Sequence, residues 1–412
     1  MRAAGVVSHR RHASNERRRG RTMCQPVLVP ASRAIRLLCA GAAALSVVAC
    51  GSTATPSPST TASAQASASA TSAATASAIA DLCAVAPQSP PASGFAANFV
   101  TALAFAPDGR LFYTERAGAV KVWQNGAAKT FATVAVASDG ERGLLGLAIS
   151  PTFSSDRFVY AFYSDTNHTQ QHVVRWKDCA GVGTGATALV TLPSGSDCCH
   201  KGGRVVFGKD GMLYVTLGEE HTAGAAQDTA DPRGKILRYK PDGSIPADNP
   251  FGPTDPVWAY GLRNPFGIAV SASGQVAVTN NGPSGDVGSP SSGYDTLILS
   301  VTRGAGYQWP LCYGYSHPLA GPAGCGGRTA PDWSSESATV VPTGVAFIDS
   351  SAPPPYAGHV VFCTYDAGMR IATPGSPHAA VTSGPSQCKL AVVEGPDHAL
   401  YMSDASHVYR LG

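Results

Sequence analysis

The sequence predicts an all-β protein, a β-propeller of about six blades set behind a long N-terminal extension. Three observations carry that prediction. Charged residues make up only 14% of the 412, against 45 Gly and 31 Pro, the composition of a chain with many turns. One phrase, a tight turn followed by an alternating apolar strand, recurs along the chain. Strong helix signals are nearly absent.

The phrase is clearest in Asp108-Gly-Arg-Leu-Phe-Tyr, Asp210-Gly-Met-Leu-Tyr-Val, Ser273-Gly-Gln-Val-Ala-Val and Asp397-His-Ala-Leu-Tyr-Met. Weaker copies are Asp156-Arg-Phe-Val-Tyr-Ala and Ala357-Gly-His-Val-Val-Phe. The turns fall near positions 109, 156, 211, 274, 358 and 398, so six units follow at irregular, blade-sized spacing. Strand content alone also suits a β-sandwich, but repeats of this length favour a propeller. A propeller places its ligand site on the central channel, built from the loops of several blades.

The N-terminus is a separate matter. Arg2, Arg10, Arg11, Arg17, Arg18, Arg19 and Arg21 crowd the start, and the formal charge of +3 reflects them. Without them the chain is acidic, which argues against a nucleic-acid partner. Arg33 and Arg36 precede the apolar run Leu37 to Ala49, too short for a membrane span and suited to a secretion signal. It ends in Val47-Val48-Ala49-Cys50, a pattern like a bacterial lipobox. Residues 1–50 are therefore expected to be a signal with Cys50 lipidated, anchoring an exported protein to the cell membrane. Met23 is an alternative start, since Met23 to Cys50 is already a complete signal. Residues 51–80, rich in Ser, Thr and Ala, are expected to be a disordered linker. The propeller then occupies 81–412.

Cys24 and Cys39 would leave with the signal, so eight of the 11 cysteines remain with Cys50 set aside. An even number in an exported domain predicts disulfides. Cys312 with Cys325 would close a short loop, and Cys363 with Cys388 would join neighbouring late strands. Cys83 and Cys179 are expected to pair with Cys198 and Cys199, in an order left open. Neither CxxC nor CxxCH occurs, so neither zinc nor attached haem is expected.

Four segments carry candidate chemistry. They are Gly140-Glu-Arg-Gly-Leu-Leu-Gly-Leu-Ala, His200-Lys-Gly-Gly-Arg through Leu217-Gly-Glu219, Gly234-Lys-Ile-Leu-Arg-Tyr through Phe251, and Tyr260-Gly-Leu-Arg263-Asn264-Pro followed by Asn281-Gly282-Pro283. In this order they resemble the glucose/sorbosone dehydrogenase family, as do the stretch from Ala104 to Gly118 and Gly306-Tyr-Gln-Trp-Pro310. The resemblance covers about residues 95–412. It implies a six-bladed propeller that oxidises an aldose or related polyol with pyrroloquinoline quinone (PQQ) and calcium, passing electrons to an external acceptor.

By position alone His200 reads as a capping or packing histidine. The resemblance makes it the base that takes the sugar hydroxyl proton, a task suited to neutral imidazole. Glu219 matches the carboxylate that orients this base, with Glu where the family usually has Asp. Arg263 matches the guanidinium over the reacting quinone oxygen. Asn264 matches a cofactor hydrogen-bonding residue. Gly282 and Pro283 match the pair whose carbonyls hold calcium.

Departures from the family pattern weaken the expected grip on a tricarboxylate cofactor. Its cofactor-contacting Gln reads here as Glu141. The expected late Lys is missing near Arg370, and an Arg-x-Arg pair reads Cys388-Lys389-Leu390. Lys201, Arg204, Arg370 and Lys389 are the cationic candidates left for that role. Two other functions stay open: a non-catalytic binding propeller and a calcium-dependent lactonase.

Overall fold

The computed structural model describes residues 83–319 and 324–412. The expected signal, lipobox and linker lie outside the described residues. A short strand β1 (Phe95–Ala96) comes first. Blade 1 is β2 (Val100–Phe105), β3 (Leu111–Glu115), β4 (Ala119–Gln124) and β5 (Ala127–Thr133). Blade 2 is β6 (Leu144–Ile149), β7 (Phe158–Ser164), β8 (Gln170–Cys179) and β9 (Val182–Pro193). Blade 3 is β10 (Val205–Phe207), β11 (Leu213–Leu217), β12 (Lys235–Tyr239) and β13 (Val257–Tyr260). Blade 4 takes β14 (Asn264–Val270), β15 (Val276–Asn281) and β16 (Thr296–Ile298). A two-stranded hairpin, β17 (Cys312–Tyr313) with β18 (His317–Pro318), intervenes before its outer strand β19 (Trp333–Ser334). Blade 5 is β20 (Pro342–Phe347), β21 (Val360–Thr364), β22 (Arg370–Thr373) and β23 (Ala380–Ser383). Blade 6 is β24 (Val392–Glu394), β25 (Leu400–Ser403) and β26 (His407–Leu411), completed by β1 as its outermost strand. All neighbouring strands within the blades are antiparallel.

The repeated phrase of the sequence is the turn between the first and second strands of every blade. Aspartate recurs there because its carboxylate accepts from the backbone two residues on: Asp108 from Arg110 N at 3.2 Å, Asp156 from Phe158 N at 3.0 Å, Asp210 from Met212 N at 3.1 Å. In blade 4 a serine does the same work, Ser271 Oγ accepting from Gln275 N at 2.9 Å.

First strands of successive blades adjoin one another around the axis, from β2 through β24 and back to β2. Both faces of a blade are apolar, so each inter-blade gap fills with side chains. Leu145, Tyr160 and Phe162 of blade 2 meet Val205, Val215 and Leu237 of blade 3. Phe95, Val100 and Tyr113 meet Tyr401 and Val408 where the ring closes. On the axis, the buried Arg204 donates to carbonyls of three other inner strands: Thr101, Leu145 at 2.5 Å and Phe266 at 2.8 Å. Burial without a carboxylate partner pushes its guanidinium down to about 9.

Two of the expected disulfides form, Cys312–Cys325 and Cys363–Cys388. The remaining pairing differs from expectation: Cys83 bonds Cys179, and Cys198 bonds its neighbour Cys199. The segment before β1 runs beside the β8–β9 turn, where Cys83 O accepts from Ala180 N at 3.3 Å and from the Arg157 guanidinium. That contact brings Cys83 to Cys179 and leaves the adjacent pair to close on itself.

Candidate active site

Each functional side chain sits where a strand ends at one mouth of the channel. His200 precedes β10 in a left-handed backbone conformation, φ 55°. Gly218 follows β11 and lets the two segments touch. A Cβ there would lie 1.9 Å from the His200 carbonyl oxygen, so only glycine fits. Glu219 comes next, fully buried, with Oε1 2.5 Å from His200 Nδ1. A carboxylate on Nδ1 holds that nitrogen as the donor and leaves Nε2 with its lone pair. The Glu219 side chain, one methylene longer than aspartate, thus still reaches the ring. Its backbone N donates to Arg263 O at 2.8 Å, linking blades 3 and 4.

Arg263 lies just before β14, buried, its guanidinium 5.4 Å from the Trp309 ring centroid. Asp286 accepts from Nε at 2.7 Å and from Nη2 at 3.0 Å, and Ser284 Oγ accepts from Nη2 at 2.6 Å. Among the described residues Nη1 has no partner. Burial alone would raise the Asp286 carboxyl, but the Arg263 hydrogen bonds and charge outweigh it and hold the group well below the usual range. The buried Trp309 Nε1 also lacks a partner among the described residues.

Asn264 ties three loops together. Its Nδ2 donates to Glu141 Oε2 at 3.0 Å and to Asn281 Oδ1 at 2.9 Å, while its Oδ1 accepts from Gly202 N at 3.0 Å. Gly282 and Pro283 follow β15. Gly282 N donates to the buried Asp295 at 2.8 Å, and a Cβ on Gly282 would lie 2.2 Å from Gly293 O. Burial raises the Asp295 carboxyl against three backbone hydrogen bonds that lower it.

Two cavities open here. A small one, about 30 Å³, is lined by Arg263, Gly282, Pro283, Trp309 and Tyr313. A larger one, about 250 Å³, is lined by Arg116, Glu141, Phe266, Asn281, Tyr365 and Leu390. Asn281 borders both. The geometry therefore gathers His200, Glu219, Arg263, Asn264, Glu141, Gly282 and Pro283. His200 itself lines neither cavity, because His221 covers its Nε2 at 3.1 Å. Arg370 turns to Ser383 Oγ on blade 5, and Lys389 Nζ donates to Asp366 O at 3.3 Å; neither lines these cavities. Sequence reasoning missed Asp286, Ser284, Arg116 and His221. Two of these had a usable signal: Arg116 lies within the motif stretch from Ala104 to Gly118, and His221 two residues after Glu219.

A family described as glucose/sorbosone dehydrogenase matches residues 98–405. The aldose sugar dehydrogenase of Escherichia coli K12 is 32% identical over 225 residues, 51% of this chain and 58% of that protein. The chain spans about half the length of the curated relatives it matches. A glucose dehydrogenase-type oxidoreductase from Thermus thermophilus superposes with a TM-score of 0.67 at 29% identity, covering 76% of this chain and 96% of that one. The PQQ-bound aldose sugar dehydrogenase of Streptomyces coelicolor superposes with a TM-score of 0.64 at 25% identity, covering 78% and 99%.

Proposed function

The chain belongs to the glucose/sorbosone dehydrogenase family, and on that premise we propose that it oxidises an aldose or related polyol using PQQ and calcium. The observation that carries this reading is the buried Glu219–His200 pair set one hydrogen bond from Arg263.

The residues present suit a polar, anionic quinone. Arg263 Nη1 and Trp309 Nε1 are donors without partners among the described residues, and both border the cavity that Gly282 and Pro283 line. The larger cavity adds Arg116 as its cation and the apolar wall of Leu145, Phe266 and Leu390. Bound there, PQQ would supply the electrophilic carbonyl that accepts hydride from the sugar carbon. His200 Nε2 takes the hydroxyl proton, and Glu219 stabilises the resulting imidazolium. Arg263 Nη1 donates to oxygen that gains negative charge, inside a buried site where such a bond counts most. Asn264, expected to bond the cofactor, instead spends both amide hydrogens on Glu141 and Asn281 and so positions those two side chains at the cavity, and the Gly282 and Pro283 carbonyls are oxygen ligands of the kind calcium prefers. The electrons would then go to a separate acceptor. Glu141 adds a negative charge beside the cavity, so affinity should be weaker than in relatives with glutamine there.

Titration tests the reading. Calorimetry with excess calcium is expected to show submillimolar PQQ binding, and the loaded protein should reduce dye with an aldose. His200→Ala should lower turnover by about 10² to 10⁴ while binding stays intact. If no binding is seen at submillimolar quinone, the chain is instead a binding propeller.

A further inference from the structure

Four side chains form a chain from the buried base to solvent. Glu219 Oε1 lies 2.5 Å from His200 Nδ1. His200 Nε2 lies 3.1 Å from His221 Nε2, the rings perpendicular with centroids 4.0 Å apart. His221 Nδ1 lies 2.8 Å from Asp197 Oδ2. Side-chain exposure climbs along it: 0% for Glu219, 6% for His200, 38% for His221 and 42% for Asp197.

The two facing nitrogens constrain the protons. An ionised carboxylate only accepts, so both Nδ1 atoms carry hydrogen. The hydrogen bond from His221, the largest influence, holds the Asp197 carboxyl below the usual range against a smaller desolvation effect, so it is ionised. Two neutral rings of that tautomer would aim lone pairs at each other across hydrogen-bond distance. The contact is favourable only with one proton between them. Other charges packed nearby have their own partners: Lys201 with Glu220 at 3.0 Å, Arg142 with Asp139 at 2.7 Å, Arg233 with Asp231 at 2.6 Å and Arg263 with Asp286 at 2.7 Å. Glu141, the remaining acid of the site, accepts from Asn264. The Cys198–Cys199 disulfide joins Asp197 to His200 through one closed ring, so both ends of the relay ride on the same rigid loop.

We propose that His221 and Asp197 are the exit path for the proton that His200 removes from the substrate hydroxyl. This rests on the dehydrogenase reading above. As hydride leaves the substrate carbon for the quinone, the O–H bond breaks and an N–H bond forms at His200 Nε2. When the oxidised product leaves, His221 Nε2 takes the place of its oxygen and accepts that proton; the His221 Nδ1 proton passes to Asp197 Oδ2 and on to water, and exchange with water at the half-exposed His221 ring returns its hydrogen from Nε2 to Nδ1. The close contact between the rings is the loaded state of the relay. His200 is ready for the next substrate only when that proton has gone.

The test uses wild type, His221→Phe and Asp197→Asn with PQQ and calcium bound. His221→Phe should lower kcat about 10-fold or more in dilute buffer, less than loss of the base itself. KM for sugar should hardly change, the acid side of the pH–rate profile should move, and added imidazole should restore turnover. Asp197→Asn should fall in the same direction by less. A second readout needs no cofactor: long-range ¹H–¹⁵N NMR of the apoprotein should show Nδ1–H on both rings and one proton shared between the Nε2 atoms. An active wild type whose kcat and pH profile ignore His221, or rings that titrate independently, overturns the relay and leaves the dehydrogenase reading standing. A wild type inert toward aldoses with PQQ bound sinks that reading and the relay with it.

Discussion

Asp286 shows how one side chain sets the state of another. Both its oxygens accept from Arg263, aiming the guanidinium and leaving Nη1 toward the cavity. The pair also links stability to pH. The folded carboxyl titrates below its unfolded value, so its contribution is complete above the ordinary carboxylate range and is lost progressively as pH falls from that range toward the lower folded value. With the Asp286 side chain 20% exposed, solvent screening limits that contribution to about 1 kcal/mol. Below about pH 4, the thermal midpoint of wild type should therefore fall more steeply than that of Asp286→Asn. Parallel curves in a pH series of melts would count against the pair. Nothing in the sequence pointed to Asp286, which lies 23 positions from Arg263 in a loop with no motif of its own.

At the scale of elements, the turn phrase was a true blade marker, because the aspartate–backbone bond it encodes is local. Spacing was irregular because insertions lodge elsewhere: the long interval between the turns of blades 4 and 5 holds the β17–β18 hairpin and its Cys312–Cys325 bond. Ring closure left no such mark. β1 is two residues long and pairs with a strand more than 300 positions away. Phe95 stacks on Trp123 at 4.5 Å, and Tyr401 Oη donates to Pro91 O at 2.8 Å. Removing everything through Ala97 deletes these contacts and the Cys83–Cys179 bond. The expected loss is about 4 kcal/mol, or roughly 10 °C in thermal midpoint. An unchanged midpoint in calorimetry would show that the ring closes without β1.

For the whole molecule, the propeller works as a frame that converts distant segments into one site: Glu141 opens blade 2, His200 enters blade 3, Arg263 enters blade 4 and Gly282 leaves its second strand. We propose that this frame is carried outside the cell on a lipid at Cys50, supported by the small residues before that cysteine and the Ser/Thr/Ala-rich stretch after it. Mass spectrometry of the mature protein should find a diacylglyceryl-modified Cys50 as the N-terminus. An unmodified terminus at another residue would leave plain secretion.

By itself the sequence determined the fold class and the number of blades, and its motifs, through the resemblance to a family, named the candidates His200, Glu219 and Arg263. Each of these is written in short-range patterns: alternation along a strand, an aspartate two residues before its bond, a run of motif residues at a strand end. The tertiary structure alone decided the Cys83–Cys179 pairing, the axial bonds of Arg204, the hold of Asp286 on Arg263 and the meeting of His200 with His221. These depend on which loops the closed ring brings face to face, and no local pattern encodes a contact whose partners are set by the packing of whole blades.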